Sequence, residues 1–165
     1  MERVKRENLP NFKDTIFILL LVCVDTSLKF LVEKYIEQNT FYEFIPFFSL
    51  YLTSNSGIAL SFLDFNNIFT SYGLLIIGII IVFFLFRFLA NAGNLLERLA
   101  FIFIIGGAIG NLFDRGIDGV VTDFILLHFG SISLFVFNPA DLFITVGAIF
   151  FIANEIASHL RSTQS

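Results

Sequence analysis

Two aspartates stand in motifs that set a carboxyl beside apolar neighbours, Asp123 in VVTDFI (120–125) and Asp141 in FNPAD (137–141). Pro139 suits the first turn of a helix and puts Asp141 inside that turn. Negative charge is favoured there, so a plain capping-region acid is one reading of Asp141. The other reading pairs it with Asp123. The two are 18 positions apart, too far for one helix face, and meet only if the intervening loop folds back. Two carboxyls held together beside apolar surroundings do not both ionise, and one proton is shared between them. Such a pair offers a general base and a general acid that activate a water between them.

Further polar groups accompany them. Asp25, Lys29, Asn55, Asn111, Asp114, Arg115 and Asn138 join the two aspartates in an otherwise apolar chain. Asp25 and Lys29 are spaced i, i+4 with the acid first, the favourable order for a helical ion pair. Asn111, Asp114 and Arg115 share one helix face, where Arg115 is placed to cap the freed carbonyls of a helix end. Gly106 and Gly110, four apart, read as close helix packing; the rest of a phosphate-loop pattern is missing. His128 and His159 fall at opposite ends of the topology, which argues against a histidine-based zinc site or a Ser-His-Asp triad. Cys23 reads as a buried, inert thiol within an apolar run. Glu97 and Glu155 lie toward the other surface, and Ser54, Ser56 and Ser61 have no obvious base nearby.

The elements that hold these groups are set by composition. Of 165 residues 56% are hydrophobic, 24 are Phe and only 15% are charged, against about 25% charged in a soluble domain. The mean hydropathy is +0.85. A single cysteine excludes an intrachain disulfide framework, and no basic tract with interleaved aromatics suggests nucleic acid. The composition is that of an integral membrane protein. A span needs about 20 mostly apolar residues, and four stretches qualify, near 15–32, 72–90, 95–113 and 140–157. Arg3, Lys5, Arg6, Lys13, Arg87, Arg98 and Arg161 then fall on one side and Lys29, Lys34 and Arg115 on the other. By the positive-inside rule the first side is cytoplasmic. Both termini are expected there, with an uncleaved first span. The polar set above falls at the outer ends of spans or in outer segments, at one depth. A charge at mid-membrane costs about 2.5–3.5 kcal/mol, and less near a span end. Residues 33–71 are too long for a simple connector; the aromatic run FYEFIPFFSLYL (41–52) suits strands or the headgroup region.

With these residues in view, the chain resembles the lipoprotein signal peptidase (signal peptidase II) family. DTSLK (25–29), NSGIALSF (55–62), GGAIGNLFDR (106–115), VVTDFI and FNPAD resemble that family's motifs, in order, over nearly the whole chain. The resemblance implies a mainly α membrane protein, with four transmembrane helices, a small extracytoplasmic β-rich cradle at about 33–71 and a short interfacial helix. It implies a single metal-independent, cofactor-free aspartyl endopeptidase domain in the bacterial cytoplasmic membrane, acting as a monomer at the outer face. The implied substrate is a diacylglyceryl-modified prolipoprotein held among membrane lipids and cut just before its lipidated cysteine. A globomycin-like cyclic peptide is the implied inhibitor. By motif position Asp123 and Asp141 are the implied catalytic pair. Asp25, Lys29, Asn55, Gly57, Asn111, Asp114, Arg115 and Asn138 are implied to line or support the site. Thr26, Leu28 and Thr122 depart from the family pattern, and the Thr122 hydroxyl is placed to bond locally and retune Asp123. Two other classes compete with a peptidase on the residues alone. A four-span transporter or channel would carry acids at mid-depth in both bilayer halves. A scaffold would use its polar groups only to bridge helices.

Overall fold

The computed structural model describes residues 11–57 and 68–163. Arg3, Lys5, Arg6, Ser61 and most of the NSGIALSF motif lie outside them. Among the described residues four helices and four strands follow one another: α1 (Phe12–Tyr35), β1 (Phe41–Ile45), β2 (Phe48–Asn55), α2 (Ile68–Asn91), α3 (Leu95–Asp118), β3 (Val121–Phe129), β4 (Ile132–Phe137) and α4 (Pro139–Ser162). Each helix is long and apolar enough to cross a membrane. Their outward surfaces are apolar too. On α2, Ile76, Ile77, Phe83, Phe84 and Phe88 are all more than half exposed. In water that surface would be untenable for a monomer; against acyl chains it is the expected facing.

Helix α3 is the central element, packed on α1, α2 and α4. The core contains Ile18 and Leu21 of α1, Val82 and Leu89 of α2, and Phe101, Ile102 and Ile105 of α3. Lipid tails are as apolar as leucine, so contact between spans depends on close approach. The glycines of GGAIG provide it. A Cβ on Gly107 would run into the Ala140 carbonyl and Ile144 of α4, and one on Gly110 would sit 2.5 Å from an Asp25 carboxyl oxygen. Helix α3 ends at Gly119, whose φ of 76° is left-handed and whose amide donates to the Arg115 carbonyl, the usual glycine stop.

At the end of the bundle where α1 and α3 finish and α4 starts, the four strands form one antiparallel sheet in the order β1-β2-β3-β4. The cradle is therefore drawn from both outer segments, with two strands from residues beyond 118. Strand pairing is non-local here: Thr53 faces Asp123 and Asn55 faces Val121 across helices α2 and α3. The β2–β3 register shifts between Leu50 and Thr53, immediately beside Asp123. Bulges of this kind bend a strand and re-aim its side chains. The helical stretches also run past their expected ends: α1 to Tyr35, α3 to Asp118 and α2 from Ile68. The added turns carry polar residues that hydropathy discounts, and those of α1 and α3 lie on helices that pack against β3. A short interfacial helix is not among the described elements.

Candidate functional site

Asn138 organises the site. It is the N-cap of α4 and is fully buried. Its side-chain oxygen accepts from the Asp141 amide at 3.0 Å, and its own amide donates to Asp141 Oδ2 at 3.3 Å. This is a reciprocal capping box, so the capping reading of Asp141 holds. Pro139 begins the helix at no cost in lost donors. The remaining Asn138 group, Nδ2, donates to Asp123 Oδ1 at 2.6 Å. One asparagine thus bonds both aspartates, and strand β3 brings Asp123 back against the start of α4.

The second Asp123 oxygen accepts from Asn55 Nδ2 at 2.9 Å, and Asn55 Oδ1 accepts from the Gly57 amide at 3.0 Å. The free oxygen of Asp141 accepts from Asn111 Nδ2 at 2.8 Å. Asn111 Oδ1 in turn accepts from Lys29 Nζ at 3.1 Å. Lys29 is almost fully buried and bridges Asp25 and Asp114, each at 2.8 Å. Asp25 also accepts the Ala140 amide at 2.9 Å, one of the unpaired donors at the start of α4. Asp114 accepts the Thr122 amide at 3.2 Å, which pins β3 next to Asp123. Arg115 Nη2 donates to the Gly57 carbonyl at 2.8 Å. The i, i+4 pair is therefore more than a local ion pair: it anchors a chain of hydrogen bonds leading to Asp141.

Four carboxyl groups here, Asp25, Asp114, Asp123 and Asp141, meet two cations, Lys29 and Arg115. A surplus of acids in a buried place favours uptake of a proton. Burial is the main cause that pushes Asp123 up to about 6, and the Asp141 charge adds to it. Hydrogen bonds from Asn55 and Asn138, and the Lys29 charge, pull the other way. Both aspartates line one cavity of about 470 Å³, with Asn55, Asn111 and Arg115 on its polar wall and Val121, Phe137 and Ile144 on its apolar wall. A cavity of that volume has room for water and a peptide group beside the two aspartates.

All ten residues singled out from the sequence are brought to this cluster. Several details differ from expectation. Arg115 does not cap its own helix end; the guanidinium reaches across to residue 57, because the αL glycine at 119 already closes α3. Cys23 is not buried but exposed on the outer face of α1. The Thr122 hydroxyl does not turn toward Asp123. It donates to Glu33 Oε1, joining β3 to α1. The Thr26 hydroxyl bonds back to the Val22 carbonyl at 2.8 Å, within its own helix. His128 lies 2.9 Å from Ser49 Oγ and links β2 to β3; neither residue lines the cavity. Sequence reasoning missed the walls from β4, Phe135 to Phe137, although SISLFVFN carried a strand-like alternation. Among the described residues no group of three or more His, Cys, Asp or Glu side chains is placed to hold a metal ion.

Residues 17–157 match the family described as signal peptidase (SPase) II. The lipoprotein signal peptidase of Brucella ovis is 39% identical over 146 residues, covering 87% of this chain and 89% of that protein. That of Brucella abortus strain S19 is similar to the same degree. A solved bacterial membrane enzyme, determined in meso at 2.3 Å, superposes with a TM-score of 0.81 at 26% identity, over 92% of this chain and 93% of that one. A second, at 1.9 Å, gives 0.76 at 26% identity, over 90% and 96%.

Proposed function

The chain belongs to the signal peptidase II family, a multi-pass membrane peptidase of lipoprotein processing, and from that premise we propose that it is an aspartic endopeptidase. It cuts diacylglyceryl-modified prolipoproteins just before the lipidated cysteine. The observation that carries this reading is one cavity lined by two aspartates that share a single asparagine partner.

Burial pushes Asp123 up to about 6, which favours it as the proton donor of the pair. The ionised Asp141 takes a proton from water as the water oxygen bonds to the scissile carbonyl carbon. Asp123 gives its proton to the carbonyl oxygen, forming a neutral gem-diol. Asp141 then passes its proton to the leaving nitrogen while the ionised Asp123 recovers one from the gem-diol, and the C–N bond breaks. The products are the signal peptide acid and the free cysteine amine, and the pair returns to its starting state. Arg115 lines the same cavity, where its guanidinium is available to a substrate carbonyl. Asn111 and Asn138 hold Asp141 in position.

The location fits the substrate. A lipidated cysteine and a signal helix both reside in the bilayer. Acids at the outer rim reach water while the spans receive lipid. The Lys/Arg bias puts this rim outside and the termini in the cytoplasm of the bacterial inner membrane. A globomycin-like cyclic peptide would occupy the same cavity. The test is cleavage of a synthetic diacylglyceryl prolipoprotein by the purified protein, read as a gel shift. Asp123→Asn and Asp141→Asn should each lower the rate about a thousandfold while the protein still inserts and folds. Cleavage kept by both single variants overturns the aspartic mechanism.

A further inference from the structure

Asp123 borders two cavities of opposite character. The first, of about 470 Å³, holds both aspartates and has the apolar wall described above. The second, of about 330 Å³, runs over the sheet and is lined by Tyr51, Thr53, Ser54 and Ser56 of the β2 region, facing Leu134 of β4. Asn55, Asp123, Phe135 and Val136 belong to both, so a chain seated in one passes into the other beside the Asp123 carboxyl. Tyr51 and Thr53, which line the second cavity, flank the β2 register shift, where a strand bends and its side chains are re-aimed.

We propose that this hydroxyl-lined cleft holds the residues that follow the lipidated cysteine, and that it selects residues able to hydrogen-bond. The inference rests on the peptidase reading above and adds a subsite to it. The substrate has two halves of unlike solubility. The signal helix and acyl chains stay in lipid and suit the wall formed by Val121, Phe137 and Ile144. The polypeptide beyond the cysteine leaves for water, carries unpaired backbone groups, and needs donors and acceptors as it goes. Tyr51, Thr53 and Ser54 offer them on the sheet side of the same carboxyl. Existing bonds there are easily exchanged: Ser54 Oγ accepts from Gln38 at 3.1 Å and the Tyr51 hydroxyl donates to Asn39 at a long 3.4 Å.

The experiment uses the full chain in lipid nanodiscs and two diacylglyceryl peptides with the same signal segment. One stops a single residue after the cysteine; the other continues for several Ser, Asn and Gly residues. The wild-type protein should cut the longer peptide with a kcat/KM about fivefold higher, through KM, as expected for one or two added hydrogen bonds. In the Thr53→Val, Ser54→Val double variant the ratio of the two kcat/KM values should fall to about one. Equal handling of both peptides by the wild-type protein overturns the subsite while leaving the peptidase reading intact. So does a double variant that keeps the wild-type ratio. Should the double variant lose both activities by misfolding, the wild-type ratio decides alone. Failure of the wild-type protein to cut either peptide would sink the peptidase reading and the subsite with it.

Discussion

The two ends of the helical bundle handle charge in different ways. At the end away from the sheet, Asp14 pairs with Arg98, whose side chain is 31% exposed, and Asn94 donates to Asn154 at 2.8 Å near the surface. Beyond joining two helices, the Asp14 and Asn94 side chains bond, among the described residues, only to backbone amides of their own helix starts. At the sheet end, each carboxyl of the cluster has two or more partners and a cavity opens beside them. The pairs at the first end only need to join and cap helices. The sheet end holds a surplus of negative charge against its own cost, and the stabilising apolar contacts of α3 with its neighbours offset that cost elsewhere. A buried charge network beside an open cavity is the mark of a site rather than of a staple.

That contrast can be broken most forcefully at Lys29. Replacing it with Met leaves Asp25 and Asp114 buried without a cation, and loss of one partner of a buried pair costs about 3–5 kcal/mol. Thermal unfolding of Lys29→Met in detergent should therefore fall far below the wild-type value. Arg98→Ala at the end away from the sheet, where the side chain is 31% exposed and screened by solvent, should change stability by about 1 kcal/mol or less. Equal losses from the two variants would erase the distinction. A smaller effect is expected from close packing. Gly110→Ala pushes a methyl into Asp25 and should cost about 1–3 kcal/mol. Gly116→Ala, five positions from Asn111 with nothing within 4 Å of the new methyl, should be neutral or slightly stabilising. Unfolding midpoints of the pair decide it.

The finest effect is a shift in pH dependence. The Asn55 amide stabilises the ionised form of Asp123, so its removal raises a carboxyl that already titrates at about 6. The rate requires the Asp123 proton, and kcat/KM falls as pH rises through that value in the free enzyme. In Asn55→Ala this alkaline limb should move to higher pH. A limb that stays fixed, or moves down, would mean that Asp123 is not the proton donor.

Much of this was legible beforehand because hydrophobicity and motif order are local properties. The four apolar runs, the basic loops and the Asp-x-x-x-Lys spacing at Asp25 and Lys29 need no tertiary information. The capping role of Asp141 could likewise be read from FNPAD, since a proline start and an N3 acid are features of one turn. Strand content beyond residue 118 was harder to see. A strand of the cradle is stabilised by partners more than 60 positions away, as in Thr53 facing Asp123, and those partners do not appear in a window of sequence.

The amino-acid order by itself therefore settled the membrane class, the number of spans and the set of polar residues that do not belong in lipid. Only the tertiary structure decided how they connect: that Asn138 bonds both aspartates, that Arg115 reaches residue 57, that Cys23 faces outward, and that two cavities of unlike polarity meet at Asp123. The reason is physical. Transfer into lipid is a property each residue carries with it, whereas a hydrogen-bond partner, a buried charge and a cavity exist only once distant segments exclude water together.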